Sequence, residues 1–464
     1  MGNWSNKRRL THKKPTMDTK QKLLQDLQNA FAISLENIEK IVGCFNSEMT
    51  KGLAGETSSL QMIPTYVDRA KGTEKGGFIA LDLGGTNFRI LEVELEGDRV
   101  INEPIAEILV IEKKYIKGQG KRLFDFISDS LKTFMIKYKI DFDEATDIGF
   151  TFSFPVKQLK IDSGILVKWT KGFKAKGVEG KDVVLLMNES LARMGMKHVK
   201  VVAMANDTVG TLVAESYRDP DCDMGVIIGT GTNACYTEEI QNIKKLENHR
   251  KGQMIINIEW GNFDKLPLTL YDRELDAFSD NHGEQILEKM VSGMYLGKLT
   301  RLVIKDFINK KQIFEGKYAD MFSKHDHFKT EYMSLIEKDD TENLEKTNTL
   351  LNEIGIPDST LEDRKMLKQI SSIIATRAAR ICATGMASVL IKMDPFLTKK
   401  HTIAIDGSVY EKYPDFSYKI IDTFKEFFRD KADNIKLVLS KDGSGKGSAV
   451  IAAVVRAKRR ETEK

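Results

Sequence analysis

Two glycine-rich turns, each flanked by two apolar strands, constrain the fold of this chain more than any other feature. The first turn is Gly84-Gly85-Thr86-Asn87, and the second, further along the chain, is GTGTN at 229–233. One such turn says little, because any tight β-hairpin needs glycine. Two copies, each opening a segment of mixed strands and helices, predict a duplicated α/β core. Because glycine lets a ligand approach the backbone N–H groups closely, both turns are candidates for binding phosphate.

Length and composition indicate a folded protein with several domains. The 464 residues are 41% hydrophobic and 30% charged, and this length corresponds to about two to three domains. A formal net charge of +4 is too small to indicate a nucleic-acid-binding protein, and no run reaches the roughly 18 apolar residues of a membrane span. The four cysteines form no CxxC pair and favour reduced thiols. With no apolar signal segment, a cytoplasmic protein is expected, with residues 1–17 as a basic, flexible tail.

Two apolar strands near the C-terminus lead into the same small polar triplet, Asp-Gly-Ser. The first triplet is at 406–408 and the second is at 442–444. In open α/β sheets, ligands bind where the strands end, so both triplets mark a candidate ligand site. The run GSGKG at 443–447 fits neither the P-loop nor the dinucleotide-binding pattern. Phosphate binding is therefore expected at the two hairpins.

Asp82 is a carboxylate at the end of an otherwise apolar strand, beside the first turn. Burying an unpaired carboxylate is costly, so Asp82 needs a partner. It could accept hydrogen bonds from the N–H groups of the turn itself. It could also anchor Mg²⁺, directly or through water. The residues alone leave both explanations open.

The pair Asn206-Asp207 lies between a predicted strand, 199–204, and a predicted helix that begins near Thr208. One explanation is that either residue caps the helix. The other is that Asp207, at the carboxyl end of a sheet strand, acts as a general base, with Asn206 as a hydrogen-bonding neighbour.

Polar side chains at other strand ends suit a ligand that carries many hydroxyl groups. Ser153 follows one strand, and Thr170 and Lys171 follow another. Glu259 and Glu288 add acceptors for pairs of hydroxyl groups, and sites of this kind strongly reject analogues that lack the hydroxyls. Considered singly, each glutamate is also compatible with an ordinary surface charge.

A series of motifs between about residue 49 and residue 449 resembles the eukaryotic-type hexokinase family, in its single-unit form. The motifs, in the order expected for that family, are MTKGL (49–53), MIPTYV (62–67), ALDLGGTNFR (80–89), LFDFI (123–127), FTFSFPVKQLKIDSGILVKWTKGF (150–173), NDTVGTL (206–212), IGTGTNACY (228–236), EWGNF (259–263), LPLTLYDRELD (266–276), EKMVSGMYLG (288–297), TRAARI (376–381), DGSVYEKYP (406–414) and DGSGKGSA (442–449).

The resemblance implies an α/β protein with the actin-like ATPase fold of sugar kinases, Hsp70 and actin. In that fold, two lobes, each built around a mixed five-stranded sheet, are hinged around a cleft. The implied large lobe comprises 18–75 and 208–445, and the implied small lobe comprises 76–207 and the final helix, 446–464.

The resemblance also implies ATP-dependent phosphorylation of the 6-hydroxyl of glucose and related hexoses, the first step of glycolysis. Mg²⁺ would accompany ATP, and binding of the sugar would close the lobes. The partners would be the hexose and MgATP, without nucleic acid or a membrane span, in a monomer or a homodimer.

Site residues follow from the motifs, position by position. By this resemblance Asp207 is the general base, and Lys171 is a second catalytic residue near the transferring phosphoryl group. The implied sugar contacts are Ser153, Thr170, Lys171, Asn206, Asp207, Asn233, Glu259 and Glu288. The implied nucleotide contacts are Asp82, Leu83, Gly84, Gly85, Thr86, Asn87, Arg89, Thr230, Thr376, Ser408 and Ser444, with Mg²⁺ near Asp82 through water.

The chain departs from the family pattern at three positions. Lys298 and Lys441 stand where glutamate is usual, and Ser448 stands where alanine is usual. Because none of the three is a sugar or catalytic position, they bear on nucleotide affinity or regulation. Two alternatives stay open: a catalytically silent sugar sensor on the same fold, and a glucokinase of narrow specificity.

Overall fold

The computed structural model describes residues 17–84, 87–143, 145–247, 251–324 and 327–462, in which strands and helices alternate. The strands are β1 (Ile63–Pro64), β2 (Lys75–Leu83), β3 (Asn87–Gly97), β4 (Val100–Ile101), β5 (Ile105–Val110), β6 (Thr146–Phe152), β7 (Val156–Lys160), β8 (Ser163–Leu166), β9 (Val199–Ala205), β10 (Cys222–Ile228), β11 (Thr232–Glu239), β12 (Gln253–Asn257), β13 (His401–Asp406) and β14 (Ile435–Leu439). The helices are α1 (Met17–Phe31), α2 (Leu35–Ala54), α3 (Lys113–Ile116), α4 (Gly120–Tyr138), α5 (Val183–Arg193), α6 (Asp207–Arg218), α7 (Leu270–Ala277), α8 (Ile286–Val291), α9 (Gly293–Asn309), α10 (Thr330–Lys338), α11 (Glu345–Glu353), α12 (Leu361–Met393), α13 (Ser408–Lys412), α14 (Phe416–Phe428) and α15 (Gly443–Thr462).

Two mixed sheets with the same internal order confirm the predicted duplication. In the first sheet the order is β3-β2-β6-β9, and in the second it is β11-β10-β13-β14. In each, the hairpin strands are antiparallel, and the remaining two strands run parallel to the first strand of the hairpin. The carboxyl ends of the parallel strands therefore lie beside the hairpin turn in both sheets, which is where ligand sites form.

Each sheet has six strands, one more than the five that were expected. In the second sheet the extra strand is the two-residue β1, which pairs with β12. In the first sheet β4 and β5 both pair with β3 along one edge, so they share a single strand position. The residues between them end in Pro104, which has no N–H group to donate to a sheet ladder.

The first sheet is buried on both faces, which explains its continuous apolar strands. Along β2, Ile79, Leu81 and Leu83 pack in one core with α4 and α5, whereas Phe78 and Ala80 pack in another with α15. Asp82 points to the side of α15, as the alternation of side chains along a strand requires.

Helices α6 and α15 join the two sheets. They cross so closely that a Cβ atom on Gly447 would lie 1.8 Å from the Gly210 carbonyl oxygen. Only glycine fits at this crossing. The close packing against α15 fixes the position of α6, whose first turn carries Asp207. Helix α15 begins at Gly443, before the predicted residue 446.

The helices of the second half surround α12, a 33-residue helix. By length and composition α12 could cross a membrane, but 83% of its most apolar window is buried inside the protein, as in a core helix. Near the N-terminus, the apolar residues of 19–52 recur at helical spacing throughout, but Ser34 accepts a hydrogen bond from the Asn37 N–H and starts a second helix, α2. Of the predicted tail, residues 1–16 lie outside the described residues, and Met17 begins α1.

Candidate active site

Asp207 and Asn206 stand at the start of α6, where β9 ends. The Asn206 Oδ1 atom accepts a hydrogen bond from the Thr208 N–H at 2.8 Å, so Asn206 is the helix cap. The Asp207 Oδ1 atom also lies 2.8 Å from this N–H, but its side chain is half-buried and open to the cleft. Its negative charge raises the pKa values of Glu259 and Glu288. Asp207 therefore lies close to both predicted glutamates.

One wall of the cleft is a cluster of amide and carboxylate groups at the ends of β11 and β12. The Asn257 and Asn233 amides donate to the Glu259 Oε1 atom at 2.7 and 3.1 Å, and Asn233 also donates to Asn257 at 2.8 Å. Burial raises the pKa of Glu259, the hydrogen bond from Asn257 opposes this, and the charges of Asp207 and Glu288 add to it. Glu259 has a left-handed backbone, with φ of 56°, a strained conformation of the kind that clusters at functional sites.

Glu288 stands on the same wall, at the first turn of α8. Its Oε2 atom accepts a hydrogen bond from the Thr232 N–H at 3.0 Å. A Cβ atom on Gly231 would lie 2.6 Å from that carboxylate oxygen, so a larger residue there would displace the Glu288 carboxylate. Burial raises the pKa of Glu288, whereas the Thr232 N–H and the positive charge of Lys171 lower it. Trp260, fully buried, donates to the Thr232 hydroxyl at 2.9 Å and holds this strand end in place.

The opposite wall comes from the first sheet and the loop after β8. The Lys171 ammonium group donates to the Ser153 carbonyl oxygen at 2.8 Å, and its positive charge lowers the pKa of Glu288. The Ser153 hydroxyl oxygen is buried and has no hydrogen-bond partner among the residues that the structure describes. Thr170 is half-buried beside Lys171. An aromatic cluster of Phe154, Trp169 and Phe173 supports the loop, with ring centroids 4.9–5.3 Å apart.

Asp82 is bound by an ion-pair network at the hairpin end of the first sheet. The Arg89 guanidinium forms a salt bridge to the Asp82 Oδ2 atom and a second one, at 2.5 Å, to Asp442. The Ser444 hydroxyl donates to the same Oδ2 atom at 2.9 Å. Burial tends to lower the pKa of the Arg89 guanidinium, but the two carboxylates outweigh it and raise that pKa. The hydrogen bonds that the described residues make to Asp82 thus come from Arg89 and Ser444.

The first turn is only partly described. Leu83 pairs with Phe88, and its carbonyl oxygen accepts a hydrogen bond from the Ser153 N–H at 3.1 Å. A Cβ atom on Gly84 would lie 3.4 Å from the Ser153 hydroxyl, so this turn adjoins the Ser153 wall. Gly85 and Thr86 lie outside the described residues, and of Asn87 only the backbone is described.

A cavity of about 690 Å³ continues the cleft beside the second turn. Thr230 and Ser408, two of the predicted nucleotide residues, both line it, together with the start of α9 and α10. Thr376 does not line this cavity. It lies half-buried in α12 next to Arg377, whose guanidinium binds Asp272 at 2.7 Å, and its contact with the nucleotide stays a prediction.

The sequence analysis assigned no role to Asn257, and it marked Asp406 only as part of the Asp-Gly-Ser triplet at 406–408. Asn257 ends an otherwise apolar strand and holds Glu259, as described above. Burial raises the pKa of Asp406 to about 6; the Gly407 N–H opposes this shift, and the carboxylate of Asp442 adds to it. Both are polar residues at the end of a buried strand, the same signal that marked Asp82, and could have been found by it.

This arrangement suits a ligand with several hydroxyl groups. Three carboxylates, those of Asp207, Glu259 and Glu288, meet in one half-buried space. Carboxylates accept hydrogen bonds from hydroxyl groups, and one of them can take a proton from a reacting hydroxyl. The buried Ser153 hydroxyl, which adjoins Gly84, and the Lys171 ammonium group can donate hydrogen bonds.

Comparison with known proteins gives one consistent family. Two family models, both described as hexokinase, match residues 23–217 and 223–454. Human hexokinase-2 is 40% identical over 450 residues, which is 94% of this chain and 48% of that protein. Mouse hexokinase-3 is 38% identical over 443 residues, 94% of this chain and 47% of that protein. The chain thus spans about half the length of these curated relatives.

Solved structures agree with the family models. A hexokinase from Schistosoma mansoni, solved in complex with glucose, is 35% identical, with a TM-score of 0.82. The match covers 94% of this chain and 99% of that chain. The two-lobed sugar kinase fold that the sequence predicts is confirmed by this likeness.

Proposed function

Because the chain belongs to the hexokinase family, we propose that it transfers the γ-phosphoryl group of ATP to the 6-hydroxyl of glucose and related hexoses. The observation that carries this proposal is the position of Asp207. It stands at the start of α6 beside Glu259 and Glu288, with Lys171 across the cleft. A carboxylate among hydroxyl acceptors, with a cation opposite, is what phosphorylation of a polyhydroxyl substrate requires.

The sugar would be held by groups that already lie in donor or acceptor positions. Glu259 and Glu288 would accept from pairs of sugar hydroxyls, and their raised pKa values show that burial leaves them less stabilised than in water. Asn206, Asn233 and Thr170 would add neutral contacts. The Ser153 hydroxyl, buried without a partner among the described residues, would gain one from the sugar.

Asp207 would take the proton from the attacking 6-hydroxyl. The transition state of phosphoryl transfer is loose, so the proton can leave late and positioning matters more than base strength. Lys171 would stabilise the negative charge of the transferring phosphoryl group. Its ammonium group is held by the Ser153 carbonyl at 2.8 Å, which keeps it at the sugar end.

MgATP would lie along the two hairpins, with adenosine in the cavity that Thr230 and Ser408 line. The backbone of the first turn, 84–87, and the Arg89 guanidinium suit the phosphates, since both offer N–H donors. Asp82 would hold Mg²⁺ through water. When bound, Mg²⁺ neutralises charge on the phosphates. Ser444 would orient Asp82, to which it already donates at 2.9 Å.

Water is the competing nucleophile, because it is small and abundant. Closure of the two proposed lobes on the sugar would assemble the site only when the sugar hydroxyls are present. The proposed lobes follow the predicted boundaries, with 76–207 and 446–464 in the small one and 18–75 and 208–445 in the large one. We also propose a cytoplasmic location, which the four free thiols support, and a monomeric or homodimeric state.

A coupled assay of ADP release tests the proposal. The full chain is supplied with MgATP and, in turn, glucose, mannose, fructose and no sugar. The proposal expects turnover with glucose and at most slow ATP hydrolysis without sugar. Turnover with glucose alone among the sugars would indicate a narrow glucokinase. No turnover with any hexose, together with measurable glucose binding, would overturn the proposal in favour of a silent sugar sensor.

A further inference from the structure

We propose that the ion pair between Lys441 and Glu411 positions the nucleotide end of the cleft. Lys441 belongs to the crossover turn, residues 440–443, in which the chain passes from β14 of the second sheet to α15, which packs on the first. The Lys441 ammonium group lies 3.1 Å from the Glu411 carboxylate of α13. This inference rests on the proposed function, because its target is the binding of MgATP.

The crossover turn leads directly to the groups that bind Asp82. Asp442, within the turn, is paired with Arg89 at 2.5 Å, and Arg89 in turn is paired with Asp82. Ser444, the next residue after the turn, donates to Asp82 at 2.9 Å. Any displacement of the turn would therefore shift the partners of the proposed Mg²⁺ residue.

On its other side the turn is joined to the wall of the nucleotide cavity. Glu411 lies three residues after Ser408 in the same short helix, and Ser408 lines that cavity. Two neighbouring residues of opposite charge, Lys441 and Asp442, thus bind opposite sides of the cleft. The turn is held between α13 and β3, and it fixes the distance between Ser408 and Ser444.

The turn needs such contacts because its own backbone is strained. Asp442 has a φ of 55°, in the left-handed region that non-glycine residues avoid. Its carboxylate also lies close enough to Asp406 to raise the pKa of that group. A lysine at 441 compensates for this local negative charge, whereas the glutamate that is usual in the family would add to it in this chain. The pairing with Glu411 gives the departure at position 441 a physical reason.

The solvent exposure of Lys441 and Glu411 limits how much their ion pair can change the binding of MgATP. The side chains of Lys441 and Glu411 are 69% and 35% exposed, and ion pairs at the surface change an equilibrium constant by about fivefold at most. We therefore expect Lys441→Glu to raise KM for MgATP by about two- to fivefold, with KM for glucose unchanged. Glu411→Lys alone should also raise KM for MgATP, because it places two cations together.

The decisive variant carries both changes, Lys441→Glu and Glu411→Lys. It restores the pair with reversed charges, so its KM for MgATP should return close to the wild-type value. The control is the pair of Lys317 and Asp358, whose charged groups lie 2.9 Å apart and whose side chains are 52% and 47% exposed. Neither residue lines the cavity beside the second turn, and Lys317 also pairs with Glu315 at 3.3 Å. Lys317→Glu, Asp358→Lys and the variant with both changes should leave KM for glucose and KM for MgATP unchanged.

The outcomes separate this inference from the proposed function. If the wild-type chain fails to phosphorylate glucose, the proposed function fails. If the wild-type chain is active, two results together would overturn the pairing. KM for MgATP would be lower in Glu411→Lys than in the wild type, and the KM change in the double variant would equal the product of the two single changes. Such a pattern would indicate a general effect of charge. An unchanged KM in Lys441→Glu would overturn it as well.

Discussion

The sugar end and the nucleotide end of the proposed cleft hold their carboxylates in opposite ways. At the sugar end, Glu259 is bound by the amides of Asn257 and Asn233, and Glu288 by the Thr232 N–H. These donors are neutral. At the nucleotide end, Asp82 is paired with the Arg89 guanidinium, which is also paired with Asp442.

The difference matches the charge of the ligand that each end is proposed to bind. A sugar brings neutral hydroxyl donors, so its carboxylates must keep lone pairs and negative charge available; neutral amides orient them without cancelling that charge. A nucleotide brings several negative charges, so a carboxylate at that end must be neutralised before the phosphates arrive. Substitutions at the sugar end should therefore weaken the binding of glucose, and substitutions at the nucleotide end should weaken the binding of MgATP.

Asp207 lies between the two ends, and its loss should have the largest effect. We predict that Asp207→Ala lowers kcat at least about 10²-fold, the usual contribution of a general base, while glucose still binds. Helix α6 should remain folded, because Asn206 caps it. The coupled assay gives kcat, calorimetric titration gives the affinity for glucose, and near-normal turnover would contradict the role of Asp207.

At the sugar end, Glu259→Gln should raise KM for glucose roughly 10- to 100-fold, the range for hydrogen bonds to a charged group. KM for MgATP should change little. Asn257→Ala removes the amide that donates to Glu259 at 2.7 Å, and it should raise KM for glucose by a smaller factor than Glu259→Gln. Initial rates with each substrate varied in turn measure both constants, and equal effects on the two substrates would contradict the separation of the ends.

At the nucleotide end, Ser444→Ala should raise KM for MgATP by about fivefold, the equivalent of one ordinary hydrogen bond. KM for glucose should not change, because the hydrogen bonds of the Ser444 hydroxyl to described residues join it to Asp82 and Arg89. The comparison variant is Ser448→Ala in the same helix, whose hydroxyl donates to the Gly445 carbonyl at 3.0 Å and, among the described residues, not to Asp82; a smaller change in KM for MgATP is expected there. A matching rise in KM for glucose would show that the two ends are coupled.

The smallest expected effect is that of pH. Lowering the pH should stabilise the folded free protein but weaken its binding of glucose. Folding raises the pKa values of Glu259 and Glu288, so their protonation stabilises the free protein as the pH falls toward the ordinary glutamate value of about 4.3. Protonation also removes acceptors for the sugar. We predict that glucose affinity falls as the pH is lowered from about 7 toward the ordinary glutamate value of about 4.3, as measured by calorimetry, and that it falls less in Glu259→Gln.

The sequence predicted the parts of the fold that local patterns encode. Both hairpins, the parallel strands beside them and the position of Asp207 at a strand end follow from apolar runs and glycine, and they lie as expected. The pairing of Arg89 with Asp442 could not be predicted in this way, because it joins residues 353 positions apart. Likewise, Asn233 contacts Asn257 and Glu259 only because β11 pairs with β12 in the observed register.

The TRAARI run shows that one motif can hold residues with different surroundings. Arg377 is 1% exposed and binds Asp272 inside the protein. Its neighbour Thr376 is half-buried in the same helix, α12, and its contact with the nucleotide stays a prediction. The sequence motif alone does not separate a residue that packs a core helix from one that contacts a ligand.

The two described tryptophans give the protein a built-in optical reporter. The chain has three, at positions 4, 169 and 260, and the first lies outside the described residues. Trp169 stacks on Phe173 next to Thr170, whereas Trp260 is buried next to Glu259, so the two indoles flank the cleft from opposite sides. The tryptophan fluorescence of the unlabelled chain should therefore change when a hexose binds. Stopped-flow fluorescence would then measure the rate at which the two walls of the cleft close on the sugar.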